Sequence, residues 1–449
     1  MDVMQIYDRL PVWGQNFACT LEGIRVNNRK HGKRQKIRLV EFLERKDWTY
    51  SQLCKYRDEQ LARMVEHCYI HVPYYHSLFD KMGIDYRSIR TLEDLSVLPI
   101  LTKEVVRDNF NELVADNVDS GELMRMHTSG TSGSCFEFFY TKDAFACQWA
   151  DKERYDRYLG LNGNEWSAYF GGRPIVPRKQ KRPPFYRVNY AMREVMFSVY
   201  HLTQKNFPDY IKGLETRKME VWHGYPSSFL PIAQYMLDNG VRLSYVPKTI
   251  QLTSENVTDA EMDKMEAAFG VRPLMGYAQT EQVANFWQYL DGKYHIMEDL
   301  AAVEFIPADE GNLYRVVGST LTNYAMPFLR YDTRDLVTYE ETREGRFVTS
   351  VDGRAEDYIK LSNGDTIRGS VSFIFADQPN VAEAQVVQKS LQLVEINVVK
   401  AANYGIDDEK RLYASIDKCF NHLIDSKVIY VDIIPKTKNG KMKFIISEI

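Results

Sequence analysis

The chain has 449 residues, 44% hydrophobic and 26% charged, with a net charge of −4. That length exceeds what one hydrophobic core holds comfortably, so two domains are expected. The acidic balance excludes a chain that binds nucleic acid or acidic membranes through its overall charge.

The start, MDVMQIYDRLPVWG, lacks the basic and apolar regions of a secretory signal. Further on, Leu61, Met64, Val65, Cys68 and Tyr69 recur with helical spacing, and Pro73 ends that helix. HTSGTSGS (127–134) follows, and SCFEFFYTK after it reads as a strand. Val221 to Tyr225 is a short strand. It leads to a helix with Phe229, Ile232, Ala233, Met236 and Leu237 on one face, closed by Asn239 and Gly240. VPKTIQLTS is a second strand. Thr258 and Glu261 then form a capping box for a helix that buries Met262, Met265 and Phe269 and stops at Gly270. RPLMGYAQTE resumes as a strand. This alternation predicts an α/β fold with mostly parallel sheets, whose ligands bind beyond the carboxyl ends of the strands. TSEN (253–256) and YAQTE (277–281) lie at such ends.

From Ala301 to about Ser350, short strands and turns predict a small antiparallel subdomain. The remainder reads as a small, mobile α+β domain. It has strands at Ala384 to Val387 and Leu393 to Lys400, and a helix at Glu409 to Leu423 with Leu412, Ile416, Cys419, Phe420 and Leu423 on one face. The strand VIYVDIIP closes it. The predicted domains are 1–352 and 353–449. No apolar run is long enough to cross a bilayer. The six cysteines, Cys19, Cys54, Cys68, Cys135, Cys147 and Cys419, include no CxxC pair, which points to a reduced, cytoplasmic chain without a structural metal.

The glycines of HTSGTSGS let successive N–H groups converge on one anion, and its hydroxyls add donors that match phosphate oxygens. It is not a Walker A loop, because GK[ST] is missing. The same residues also suit a surface hairpin turn. Four more motifs follow: GYAQTE (276–281), YDTRD (331–335), GRAEDYIKLSNGDTI (353–367) and PKTKNGKMK (435–443). Taken bare, three of these have ordinary readings: Glu281 as a helix-start acid, Asp335 as a turn aspartate, PKTKNGK as a basic tail.

In this order the five motifs resemble those of the adenylate-forming superfamily of acyl-CoA synthetases and peptide-synthetase adenylation domains. The resemblance implies that Thr128, Ser129, Gly130, Thr131, Ser132 and Gly133 hold the ATP β- and γ-phosphates. Thr280 would meet the α-phosphate and Glu281 would orient Mg²⁺, which needs only one carboxylate besides phosphate oxygens and water. Asp335 would accept both ribose hydroxyls, with Arg354, Ser254, Glu255 and Tyr277 completing the nucleotide site. Glu356, beside Asp357, takes the hinge position, and Lys441 is the lysine that stabilises adenylation. Departures from the pattern are Arg334 in place of a glycine, Glu356 in place of Asp, and Ser134-Cys135 where relatives carry a proline.

LPVWGQNFACTLEGIRVNNRKHG (10–32), HVPYYHSLFDKMGI (71–84), YFGGRPIVP (169–177) and HGYPSSF (223–229) are most similar to the phenylacetate-CoA ligase-like branch, including its capsule-polysaccharide members. The implied reaction activates a small-molecule carboxylate with ATP and Mg²⁺, releases pyrophosphate, and passes the acyl group to CoA. An amine acceptor, as in cell-surface polysaccharide biosynthesis, is one alternative; a nucleotide-binding module without catalysis is another. His223, Tyr225, Ala278, Phe170 and Arg173 would select the acid, although aromatic packing explains the rings equally well. The basic runs 28–38 and 178–187 suit CoA phosphates, lipid headgroups or nucleic acid, although such runs are usually solvated faces or mobile loops. No nucleic-acid-binding module is recognised, and the sequence names neither the acid nor the oligomeric state.

Overall fold

A computed structural model describes residues 3–128, 136–308, 312–354, 359–362, 366–367, 371, 374–375, 378, 380–420, 422–437 and 442–449. The chain opens on α1 (Val3–Arg9), α2 (Val12–Lys30), α3 (Lys33–Glu44), α4 (Tyr50–His71), α5 (Pro73–Met82) and α6 (Lys103–Asp108). A hairpin of β1 (Leu123–Thr128) and β2 (Phe136–Thr141) leads to α7 (Lys142–Tyr158), β3 (Ser167–Phe170), β4 (Tyr186–Asn189) and β5 (Glu194–Phe197). Strands and helices then alternate: α8 (Phe207–Arg217), β6 (Val221–Gly224), α9 (Pro226–Asp238), β7 (Thr249–Thr253), α10 (Asp259–Phe269) and β8 (Leu274–Ala278). Next come β9 (Asn285–Gln288), β10 (Tyr294–Ile296), β11 (Ala301–Pro307), β12 (Tyr314–Thr320), β13 (Tyr331–Glu341) and β14 (Arg346–Arg354). Last are β15 (Ile359–Lys360), β16 (Thr366–Ile367), β17 (Val381–Ser390), β18 (Leu393–Lys400), α11 (Ile406–Phe420), β19 (Asp425–Tyr430) and β20 (Ile445–Ser447). The fold is mixed α/β, as its strand–helix alternation predicts.

The chain divides into two compact units, each assembled from separate segments. One holds residues 1–26, 164–275 and 355–449. In it β3 runs parallel to both β5 and β6, β6 runs parallel to β7, and β4 is antiparallel to β5. Helix α9 starts on Pro226, whose missing N–H costs nothing in a first turn. It buries Phe229, Ile232, Ala233 and Met236, but Leu237 is exposed, so the apolar stripe is narrower than expected. Helix α10 carries both hydrogen bonds of the Thr258–Glu261 capping box and ends on left-handed Gly270.

The C-terminal part of this unit is a sheet in the order β19-β18-β17-β20, against which α11 packs Leu412, Ile416 and Phe420. The helix begins three residues before the sequence expectation, because Asp407, Asp408 and Glu409 favour its first turn. His422, in the left-handed region, follows its end and leaves Leu423 exposed outside it. Strand β19 starts at Asp425 and stops at Tyr430, where its ladder with β18 ends.

The other unit holds residues 27–163 and 276–354. Its larger sheet has the order β11-β12-β13-β14-β10-β9-β8, all neighbours antiparallel, and β1 pairs with β2 apart from it. Helix α4, opened by a Thr49–Gln52 capping box, buries Leu61, Met64, Val65 and Cys68 against Phe136, Phe138 and Phe328. Beneath lies a buried ionic cluster. Asp299 accepts from Arg45 Nε (2.8 Å) and Arg154 Nη1 (2.8 Å), and Arg154 also donates to Asp151 (2.6 Å). Glu298 accepts from Arg57 (2.8 Å) and Arg346 (2.6 Å).

Candidate active site

In the unit of residues 27–163 and 276–354, residues of GYAQTE, YDTRD and the start of GRAEDYIK approach one another, beside the strand that follows the serine–glycine loop. Strand β8 ends at Ala278, and Tyr277 donates from its hydroxyl to Asp335 Oδ2 (2.6 Å) in β13. Gln279 Nε2 donates to the same oxygen (3.0 Å) and to the Tyr277 hydroxyl. Asp335 faces Arg354 across the β13–β14 ladder. From the start of β13, the Tyr331 hydroxyl reaches Glu281 Oε1 at 3.5 Å, and the Tyr331 ring stacks on Phe136, the first residue of β2. The flank of the serine–glycine loop, the β8 terminus, the aspartate strand and the end of β14 are thus packed together.

Desolvation first, and then the Asp335 charge, push the Tyr277 phenol well above its ordinary range, so it stays protonated and donates. Gln279 joins this cluster of candidates, and sequence reasoning passed over it although it lies inside GYAQTE. Its amide donates to Asp335, yet its Oε1 is buried and accepts no hydrogen bond. A buried acceptor left unmatched is costly, so it takes a donor from a water or a ligand.

The turn that carries Thr280 and Glu281 is held from below. Gln282 closes it through its N–H to the Gln279 carbonyl (3.2 Å) and adopts a left-handed backbone. Its buried side chain donates to the Ala144 carbonyl (3.2 Å) and accepts from Thr322 (3.3 Å). Thr280 and Glu281 are left half-buried, and Ala278 is exposed.

Arg334, where a glycine was expected, has φ +63°, the left-handed conformation that glycine favours. The turn geometry therefore survives the substitution. The Arg334 guanidinium is held by Glu104 (2.6 Å), and that hydrogen bond brings the Glu104 carboxyl down to about 2. Arg334→Gly should leave stability within about 1 kcal/mol of the parent, because relief of left-handed strain offsets a lost surface pair and a looser unfolded chain. Arg334→Val, with its β-branch at positive φ, should cost about 2 kcal/mol. Thermal unfolding of the two variants checks the difference.

The other candidates lie in the unit of residues 1–26, 164–275 and 355–449. His223 Nε2 lies 3.3 Å from Glu194 Oε1, and its ring meets Tyr169 edge-on at 5.2 Å. The Arg173 guanidinium lies over the Tyr169 ring at 5.5 Å. Burial pushes the Tyr169 phenol up to about 12. An added Cβ at Gly171 would stand 2.0 Å from the Tyr169 hydroxyl, so a larger residue there would displace that ring. Tyr225 is half-buried, and desolvation raises its phenol. Phe170 is fully buried in an aromatic stack with Phe197 (4.6 Å) and Phe229 (4.7 Å), so its ring forms part of the core.

Ser254 is exposed at φ +70°, just past β7. Glu255 accepts from the Ser227 N–H (2.9 Å) and hydroxyl (3.0 Å) in the first turn of α9, and from the Met442 N–H (2.9 Å). It thus ties the first turn of a helix to the residue that follows Lys441. Ser129, Gly130, Thr131, Ser132, Gly133, Glu356, Asp357 and Lys441 lie outside the described residues, as do the side chains of Thr128 and Arg354. Among the described residues no group of three His, Cys, Asp or Glu side chains could hold a metal.

This architecture is that of the adenylate-forming ligases. The 2-hydroxyisobutyryl-CoA ligase in its postadenylation state matches at TM-score 0.68 and 14% identity, covering 90% of this chain and 91% of its own. The family described as CapK C-terminal domain matches residues 360–448. Protein CapK of Staphylococcus aureus is 24% identical over 99% of both chains. The phenylacetate-coenzyme A ligase of Thermus thermophilus is 27% identical over 72% of this chain and 75% of its own. The chain is thus similar to members of the phenylacetate-CoA ligase-like branch, and it has the fold of the adenylate-forming ligases.

Proposed function

We propose that the protein activates a carboxylic acid with ATP and transfers the acyl group to CoA. The observation that carries this reading is the meeting of Tyr277, Gln279 and Asp335, with Glu281 on the adjoining turn. Asp335 presents a two-oxygen acceptor suited to a vicinal diol, and the unmatched Gln279 oxygen suits an N–H or O–H of the same nucleotide. Glu281 supplies the one carboxylate that a magnesium ion needs when phosphates and water complete its shell. Bound there, the ion would neutralise charge on the phosphates. Thr280, on the same turn, is assigned to the α-phosphate.

In the first step a carboxylate oxygen of the acid bonds to the α-phosphorus and the bond to pyrophosphate breaks. In the second, the CoA sulfur bonds to the acyl carbon, its proton is lost and AMP leaves. The chain needs no nucleophile of its own. Positioning and electrostatics supply the catalysis. Lys441, by its place in PKTKNGKMK, is assigned to the first step, with Glu356 and Asp357 at the hinge that then withdraws it. His223, Tyr225, Tyr169 and Arg173 are assigned to the acid.

Product analysis tests the reading. With ATP, magnesium, CoA and a panel of aryl, short-chain, amino and sugar acids, mass spectrometry should detect one acyl-CoA together with stoichiometric AMP. Amide formed from an added amine, with no thioester from CoA, would replace the acceptor half of the proposal.

A further inference from the structure

Glu255 has less room for a ligand than its place beyond the end of β7 suggests. Its carboxylate accepts three hydrogen bonds from the chain itself. Oε2 accepts from the Ser227 N–H (2.9 Å), and Oε1 from both the Ser227 hydroxyl (3.0 Å) and the Met442 N–H (2.9 Å). A carboxylate offers about four acceptor sites, so little remains for a nucleotide. The first of these bonds has a local cause. Helix α9 has Pro226 in its first turn and no side-chain cap from Tyr225, so the Ser227 N–H lacks a partner within the helix. A carboxylate placed there satisfies it and suits the positive end of the helix dipole.

Ser227 is buried, and each of its polar groups is engaged. Its N–H and hydroxyl go to Glu255, and its carbonyl accepts from Lys436 Nζ (3.1 Å). Burial lowers the Lys436 ammonium, a shift that Glu383 and then Glu255 oppose. Lys436 and Met442 bracket Lys441 in PKTKNGKMK. Outside that bracket the chain is held by its own core and sheet. Ile434 is buried, the Lys443 carbonyl accepts from Gln385 Nε2 (2.8 Å), and the Phe444 carbonyl accepts from the Val386 N–H (2.8 Å), both donors lying in β17. Within one compact unit, both ends of the lysine segment therefore rest on the Glu255–Ser227 pair. The contact joins the predicted domain 353–449 to the predicted domain 1–352.

We infer, on the assignment of Lys441 to the first step, that Glu255 is a positioning residue for adenylation and forms with Ser227 the seat for the segment that carries Lys441. The Met442 nitrogen is joined to Lys441 by a rigid peptide bond, so a hydrogen bond on it restrains the lysine. The seat holds the segment through one hydrogen bond at each end. Such bonds are individually modest in net strength, so they can be given up when the second step withdraws the lysine.

Measuring the two half-reactions separately tests the seat. Glu255→Ala should lower kcat for ATP–pyrophosphate exchange at least about tenfold, with KM for ATP within about twofold of the parent. Thioester formation from supplied acyl-adenylate and CoA should fall far less. Lys436→Met should give the same selective loss, and Lys436→Arg should restore part of it, because arginine still donates to the Ser227 carbonyl. Hydrogen exchange at the Met442 amide, read by mass spectrometry with fragmentation, should be at least about tenfold faster in Glu255→Ala whether or not the enzyme turns over. A raised KM for ATP at unchanged kcat would make Glu255 a nucleotide contact and overturn the inference. Equal losses in the two half-reactions, or an unchanged Met442 amide, would overturn it as well. A parent that exchanges pyrophosphate with no acid would instead refute the assignment of Lys441, and exchange at Met442 would still decide the seat.

Discussion

Asp335→Ala should reduce ATP–pyrophosphate exchange by at least about 100-fold, because hydrogen bonds to a charged acceptor contribute about 1.5–3 kcal/mol each and a ribose diol would make two. The substitution also strips Tyr277 and Gln279 of their shared acceptor, so the preformed donor pair loses its geometry. Asp335 is half-exposed, and its strand is held to β14 by backbone pairing, so the melting temperature should change little. Asp335→Asn keeps the shape and one acceptor and should fall between the two. A merely structural role is separated by 2′-deoxy-ATP. The parent should discriminate strongly against it, and Asp335→Ala should barely distinguish it from ATP.

The largest effect on stability is expected from Asp299→Ala. This carboxylate, in the unit of residues 27–163 and 276–354, bridges Arg45 and Arg154 where almost no solvent reaches. Arg154 would keep Asp151 as a partner, but Arg45 would keep only its ring contacts with Phe42 and Tyr56. Its Nη2 is already without a hydrogen-bond partner. Breaking one side of a buried ionic cluster costs about 3–5 kcal/mol, because the remaining charge is stranded. The pH dependence follows. Burial alone would raise the Asp299 carboxyl, but Arg154 and then Arg45 outweigh it and hold the group below its ordinary value. A depressed carboxylate stabilises the fold fully above its unfolded value, near pH 4, and that contribution disappears as pH falls through the folded value. The parent should therefore lose stability on acidification below about pH 4 more steeply than Asp299→Asn, as followed by denaturant unfolding.

What the sequence made legible was local. Helix α10 could be drawn from Thr258, Glu261 and Gly270, because caps act within a single turn. β8 and the turn after it were legible for the same reason. The misplaced ends of α11 and β19 depend on a distant partner or on a backbone choice: β19 is as long as its ladder with β18, and His422 turns left-handed. Gln279 was overlooked because its role needs Asp335, far away in the chain, to be brought beside it. Arg334 looked like a flaw in a glycine motif until its positive φ and its pairing with Glu104 showed how the turn is kept.

The most direct measurement is carboxylate-dependent exchange of labelled pyrophosphate into ATP by the purified full chain, across the same acid panel, with Glu281→Gln alongside. Exchange with at least one acid, lost in the variant, is the predicted result. A folded parent that exchanges with none of them, or a Glu281→Gln variant as active as the parent, would contradict the account.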